Sequence, residues 1–242
     1  MRSRTLILCA ALMVLVAAGV WSASAATENT DERLIHASGT GEITTTPDRA
    51  VISFTVETQD TDPKAAQAAN AQIMDSVNRA LKAAGIAAND MKTTGYNIWS
   101  ETPDSDKLLG SQKEIYHVTN TLRVTLSDIT RTGEIIDIAV SNGANQVSSL
   151  YFTLSDEKEQ QFRGEALTKA VEQARADADT VAAAAGVTIT GVKDISIGGT
   201  YVPVYNSYLK ADAMEMGGAV STPIESGEVT VTASVSVAYL CR

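Results

Sequence analysis

Two hydrophobic periods alternate along this chain, and the switches between them mark its elements. Residues 34–43 read as an extended strand containing Gly39-Thr40-Gly41, and 44–48 as a turn signalled by Pro47-Asp48. Ala50, Ile52, Phe54 and Val56 then alternate with Val51, Ser53, Thr55 and Glu57, the period-2 pattern of a half-buried strand. The short spacing predicts that these two strands form an antiparallel hairpin.

From Pro63 the period changes. Asp62 can cap a helix, Pro63 fits its first position, and Gly85 stops it. Ala66, Ala69, Ile73, Val77, Ala80 and Ala84 form the predicted buried stripe. Residues 91–101 and 114–126 read as strands, the second with Val118, Asn120, Leu122, Val124 and Leu126 on one face. The polar stretch between them reads as an exposed loop. A helix beginning at Asp128 ends at Asn142-Gly143, and a strand follows over 145–154. Residues 156–185 predict a long helix, roughly 45 Å at 1.5 Å per residue, capped by Gly186. Residues 187–198 read as extended, and 201–223 are irregular. The last strand, 228–239, sends Val229, Val231, Ala233, Val235, Val237 and Tyr239 one way and Thr230, Thr232, Ser234 and Ser236 the other.

Strands and helices interspersed in this way predict an α+β fold: a largely antiparallel mixed sheet with Ala-rich helices packed on one face. A faint echo links the two Ala-rich helices. Each has an acidic start, a glycine stop and a strand behind it. Residues 26–242 read as one domain, divisible into two sub-lobes, with the irregular 201–223 segment set apart.

The N-terminus is different in kind. Arg2 and Arg4 precede an apolar run over 5–20 and a small-residue end at Ala23-Ser24-Ala25. This is the pattern of a secretory signal peptide over residues 1–25, and it implies an extracytoplasmic location: periplasm, cell surface or secreted. An uncleaved N-terminal anchor is the alternative, and the only route other than an assembly by which the protein would contact a membrane. Cys9 belongs to the apolar run. Once that segment is removed Cys241 is the sole cysteine, so the fold is not expected to rest on an intrachain disulfide.

The chain has 242 residues, 44% of them hydrophobic, and a net charge of −10. Disorder throughout is excluded by that apolar content, and an acidic surface argues against nucleic-acid binding. Chemistry is sparse. His36 and His117 lie in predicted strands without a metal-site spacing, and no HExxH, CxxC, Walker loop or GxSxG is present. Gly39-Thr40-Gly41 is better explained by a bulge or a close backbone approach than by phosphate binding. Asp156, Glu157 and Glu159 suit a helix start, and Asp177 with Asp179 a solvated helix face. Met214-Glu215-Met216 is a weak two-thioether pattern for a soft metal. Trp99, Tyr96 and Tyr116 are expected in the core, and Tyr201, Tyr205 and Tyr208 at a contact surface. No catalytic, cofactor-binding or metal-ligating residue is therefore assigned, no cofactor is expected, and the protein is read as a non-enzyme.

Several motifs follow one another along the chain: Gly39-Thr40-Gly41; Pro47-Asp48-Arg49-Ala50; the Ala-rich stretch ending at Gly85; Ile136-Asp137 before Gly143-Ala144-Asn145; Ala166, Ala170, Ala174 and Arg175; and Gly227 before the last strand. In order and spacing they resemble the SIMPL-domain family. The resemblance implies an exported protein with a mixed α+β fold, in a family some of whose members look like subunits of ring or channel-like assemblies and others are linked to oxidative or envelope stress. It implies no catalytic residues. The expectation is a non-enzymatic envelope or cell-surface protein acting through self-assembly, as a homo-oligomer, or through an envelope protein partner. The alternative is an extracytoplasmic small-molecule or metal-binding protein, and an unrecognised hydrolase is the third reading.

Overall fold

A computed structural model describes residues 32–102, 114–199, 205–206 and 222–242; of residues 205–206 it describes the backbone. The signal-peptide segment, Met214-Glu215-Met216, Tyr201, Tyr208 and most of the predicted 102–113 loop lie outside the described residues.

The elements, in chain order, are β1 (Arg33–Thr45), β2 (Arg49–Asp60), α1 (Pro63–Ala83), β3 (Met91–Glu101), β4 (Ile115–Leu126), α2 (Thr132–Ser141), β5 (Gln146–Thr153), α3 (Asp156–Ala185), β6 (Ile189–Ile197), β7 (Tyr205–Asn206) and β8 (Val229–Cys241). Short 3-10 turns precede β3 and α2. The strands form two sheets, in the orders β1-β8-β6 and β3-β4-β2-β5-β7, and every pairing is antiparallel. The fold is α+β, as the alternation of elements implies.

The predicted β1–β2 hairpin does not form. β1 pairs along its whole length with β8, from Arg33 opposite Cys241 to Thr45 opposite Val229. β2 sits between β4 and β5 in the other sheet. The 46–48 turn is thus a crossing between sheets. A short connection favours neighbours in space, but β8 offers β1 an unbroken apolar face that β2 spends on a different core.

That second core is built under α1 and α2. Ile52, Phe54 and Val56 of β2, Leu122 and Val124 of β4, and Leu150 and Phe152 of β5 meet Met74, Val77 and Leu81 of α1 and Ile135, Ile136 and Ala139 of α2. The buried face of α1 runs through Ala66, Asn70, Met74, Val77 and Leu81. Of the predicted stripe Ala66 and Val77 are buried and Ile73 and Ala84 pack against the core, but Ala69 is exposed, and Asn70, Met74 and Leu81 join the face instead. An apolar template passes over Asn70, yet its amide is fully buried and donates to the Val56 and Val118 carbonyls at 2.9 and 3.0 Å. Those bonds offset the cost of burying the NH2 group, while Oδ1 is buried without a hydrogen-bond partner among the described residues. Asp62 caps α1, its side chain accepting from Lys64 N.

The three-stranded sheet carries α3. Its buried residues are all alanine: Ala166, Ala170, Ala174, Ala178 and Ala182. Ser155 is the N-cap, acidic residues fill the first turn, and Gly186 closes the helix in the left-handed conformation at φ 68°. The helix faces β1 and β8, where Val235, Val237 and Tyr239 meet the alanine stripe. Its packing is close enough to fix the composition of β1. A methyl group at Gly39 would overlap the Ala170 carbonyl and lie 2.7 Å from Ala174 N. One at Gly41 would overlap the Ala166 carbonyl and lie 2.8 Å from Ala170 N. Two residues of strand rise about 6.7 Å and four of helix about 6.0 Å, so the two glycines keep step with successive helix turns. Close backbone approach is therefore the reason for Gly39-Thr40-Gly41.

Candidate functional site

The motif residues outside that glycine pair also close joints of the fold. Asp48, in the crossing from β1 to β2, accepts from Ser155 N at 2.7 Å and Ser155 Oγ at 2.9 Å. It thereby ties that crossing to the one from β5 to α3. Burial pushes the Asp48 carboxyl toward its neutral form. The two Ser155 bonds and the charges of Lys158 and Arg49 outweigh it, and hold the group below the ordinary carboxylate range. Asp137 of α2 accepts from Thr222 N at 3.2 Å and Thr222 Oγ1 at 2.7 Å, anchoring the approach to β8. Asn145 accepts from Glu57 N at 2.9 Å and donates to Glu57 O at 2.8 Å, extending the β2–β5 ladder before β5 begins.

Polar chemistry gathers elsewhere, on the face of the five-stranded sheet turned away from α1 and α2. The strand register places Trp99, His117 and Gln59 side by side. Trp99 stacks on His117 with ring centroids 5.1 Å apart and planes 9° from parallel. His117 Nδ1 lies 3.2 Å from Glu57 Oε1, and Nε2 lies 3.3 Å from Glu101 Oε1. The imidazole is buried, and Nε2 makes no well-aligned hydrogen bond. Next to it, Glu57, Thr58, Gln59, Asn145 and Gln146 line an open cleft of about 490 Å³. Further along the face, the Thr55 hydroxyl lies 2.9 Å from that of Thr121 and 3.2 Å from that of Ser148.

This arrangement sets limits on chemistry. Both nitrogens of His117 face carboxylates, and the described hydroxyls nearby bond one another, so among the described residues the histidine is not presented to a nucleophile. Glu57 and Glu101 approach opposite nitrogens and do not converge with the imidazole on one point. Among the described residues no group of three His, Cys, Asp or Glu side chains is placed to hold a metal ion. What the cluster does is brace three strands through one side chain.

Sequence reasoning placed His117 in a strand but missed its carboxylates, which only cross-strand register brings to it. His36 is exposed on the open face of the three-stranded sheet, in a shallow cleft with Lys193, Asp194 and Ser236. Asp179 pairs with Arg175 at 3.0 Å on an exposed helix face, and Cys241 is a free thiol, half-buried. Trp99 and Tyr96 are not core residues: they are 38% and 51% exposed. β3 is an edge strand, and α1 lies over β2 and β4 instead. A second uncovered patch, likewise not foreseen, lies on β6, where Val192, Ile195 and Ile197 are 47%, 51% and 59% exposed.

Comparison with known proteins agrees with the motif order. A family model described as SIMPL, protein of unknown function (DUF541), matches residues 35–239. The 26 kDa periplasmic immunogenic protein of Brucella melitensis (biotype 1, strain 16M) is 31% identical over 211 residues, covering 85% of this chain and 83% of its own. The protein of the same name from Brucella abortus (strain S19) gives the same identity and coverage.

Proposed function

The chain belongs to the SIMPL family, and from that premise we propose that it is a non-catalytic protein of the cell envelope that works by self-association or by binding a protein partner. The periplasmic description of both relatives supports a place outside the cytoplasm, as does the signal-like N-terminus. Among the described residues no helix is long and apolar enough to cross a membrane.

One observation carries the reading. Each sheet leaves aliphatic or aromatic side chains in the open on an edge strand: Tyr96 and Ile98 on one face of β3 with Trp99 on the other, and Val192, Ile195 and Ile197 together on one face of β6. Exposed apolar side chains gathered on one face, as on β6, mark interaction surfaces. The motif residues, by contrast, are spent on joints of the scaffold, which fits a family defined by its shape more than by a reaction. Any part in oxidative or envelope stress would be indirect, through what the protein holds. Light scattering on the purified protein tests the proposal. Masses above one subunit are expected across the micromolar range, or a stable complex when envelope extract is added. A monomer that captures nothing would refute it.

A second reading, a small-molecule-binding protein, draws on the polar cleft beside Glu57. It predicts a rise in melting temperature with a ligand that fills that cleft, by mass action.

A further inference from the structure

We propose that two copies of this chain pair through the edge of β6 that is unpaired among the described residues, antiparallel, about a twofold axis at Ser196. The inference rests on the self-association reading and names its surface.

The argument begins with coverage. A helix is about 10–12 Å across, and strands lie about 4.8 Å apart, so one helix covers two strands and not three. α3 takes β1 and β8. Register places Val192, Ile195 and Ile197 beside Tyr239, Val237 and Val235, on the face that α3 packs against. Those three β8 side chains are buried under the helix, whereas their β6 neighbours remain about half exposed.

The two edges of this sheet are treated differently. On β1, Gln173 Oε1 accepts from Thr40 N at 3.0 Å and Lys169 Nζ donates to Glu42 O at 3.1 Å, so α3 plugs that edge with side chains. Among the described residues no side chain bonds to the backbone of 194–197, and β6 has β8 as its strand partner there. Adding the β6 edge of one copy to the β1 edge of another would require breaking those plugs. Pairing β6 with β6 does not, and it closes as a twofold without leaving an edge to propagate.

Charge and register select a second copy as the occupant. With a net charge of −10 per chain, contact between copies is least opposed where the seam itself carries no charge. Residues 195–199, Ile-Ser-Ile-Gly-Gly, carry no charge, and Lys193 is tied to Glu32 of its own chain. Irregularities in the β6–β8 pairing end at Asp194, leaving 194–197 regular. An axis through Ser196 sets Ile195 of each copy opposite Ile197 of the other. Opposed residues of an antiparallel pair share a face, so both isoleucine pairs lie on the α3 side. The same axis sets Asp194 opposite Gly198, so no like charges meet. The product is one continuous sheet of six strands, with an α3 helix at each side of an aliphatic trough.

The test uses the protein with Cys9→Ser, Cys241→Ser and Ser196→Cys, treated with a short bis-maleimide at micromolar concentration. Cross-linking of most of the chain into dimers is expected. In a separate variant, Ile195→Lys with Ile197→Lys, the mass by light scattering should fall at least twofold, with an unchanged circular dichroism spectrum because both positions are exposed. If the unmodified protein associates but either result fails, the β6 interface is overturned while self-association stands. If the unmodified protein is a monomer throughout that range, both fall together.

Discussion

Adding one methyl group at Gly41 is a sharp test of how the three-stranded sheet is held. Gly41→Ala places a Cβ onto the Ala166 carbonyl and 2.8 Å from Ala170 N. Both are backbone atoms in the middle of α3, so no rotamer change relieves the overlap. The helix must lift from β1 by roughly 1 Å, loosening alanine contacts on the adjacent turns. Overpacking of a rigid contact costs about 3 kcal/mol, the upper end of the usual range. For a domain of this size that is a fall of roughly 6–12 °C in melting temperature. Urea titration should show a lower midpoint with an unchanged slope. Gly39→Ala should behave alike, through Ala170 and Ala174. The double variant should cost less than the sum, because one displacement of α3 relieves both overlaps. Gly164→Ala is the control. This glycine lies within α3 with nothing within 4 Å of an added Cβ. It should stabilise by about 0.5–1 kcal/mol through helix propensity alone. A Gly41→Ala protein within about 0.5 kcal/mol of the original, the usual spread of an inconsequential surface change, would refute the close-approach reasoning.

Asp48→Ala removes the two bonds to Ser155 and should cost about 2 kcal/mol by chemical denaturation. Because the folded-state carboxyl titrates below its unfolded value, its contribution is present above the unfolded value near pH 4 and is lost as pH falls through the folded one. The acid limb of a stability-against-pH curve should therefore be shallower in the variant, and an identical limb would count against the assigned role. Asn70→Leu should destabilise by about 1–3 kcal/mol despite the gain in apolar volume, because it orphans the Val56 and Val118 carbonyls; a neutral result in the same assay would mean those carbonyls find other partners. Asn145→Ala should expose the amide of Glu57 and speed its hydrogen exchange relative to the rest of β2, since Asn145 Oδ1 is its acceptor.

Local signals were enough to set the elements. The span of α3 is legible from its acidic start and its glycine stop, that of β3 from its flanking loops, and the inward face of β8 from strict alternation. These depend on interactions within a few residues: caps, backbone torsions and side-chain period. What each element touches was not legible. Nothing near Gly39-Thr40-Gly41 says that a helix far along the chain will rest on it, or that β1 will pass over its neighbour β2 to join β8. Asn70 falls outside the predicted stripe of its helix, and its burial follows only from the two carbonyls of a distant sheet that it bonds. His117 gains its carboxylates from β2 and β3 through register, and Val192, Ile195 and Ile197 stay uncovered because a helix is too narrow for three strands. The period of a strand states that one face is apolar. Whether that face is buried depends on how much surface the rest of the chain can bring to it, and that sum exists only once the whole chain has folded.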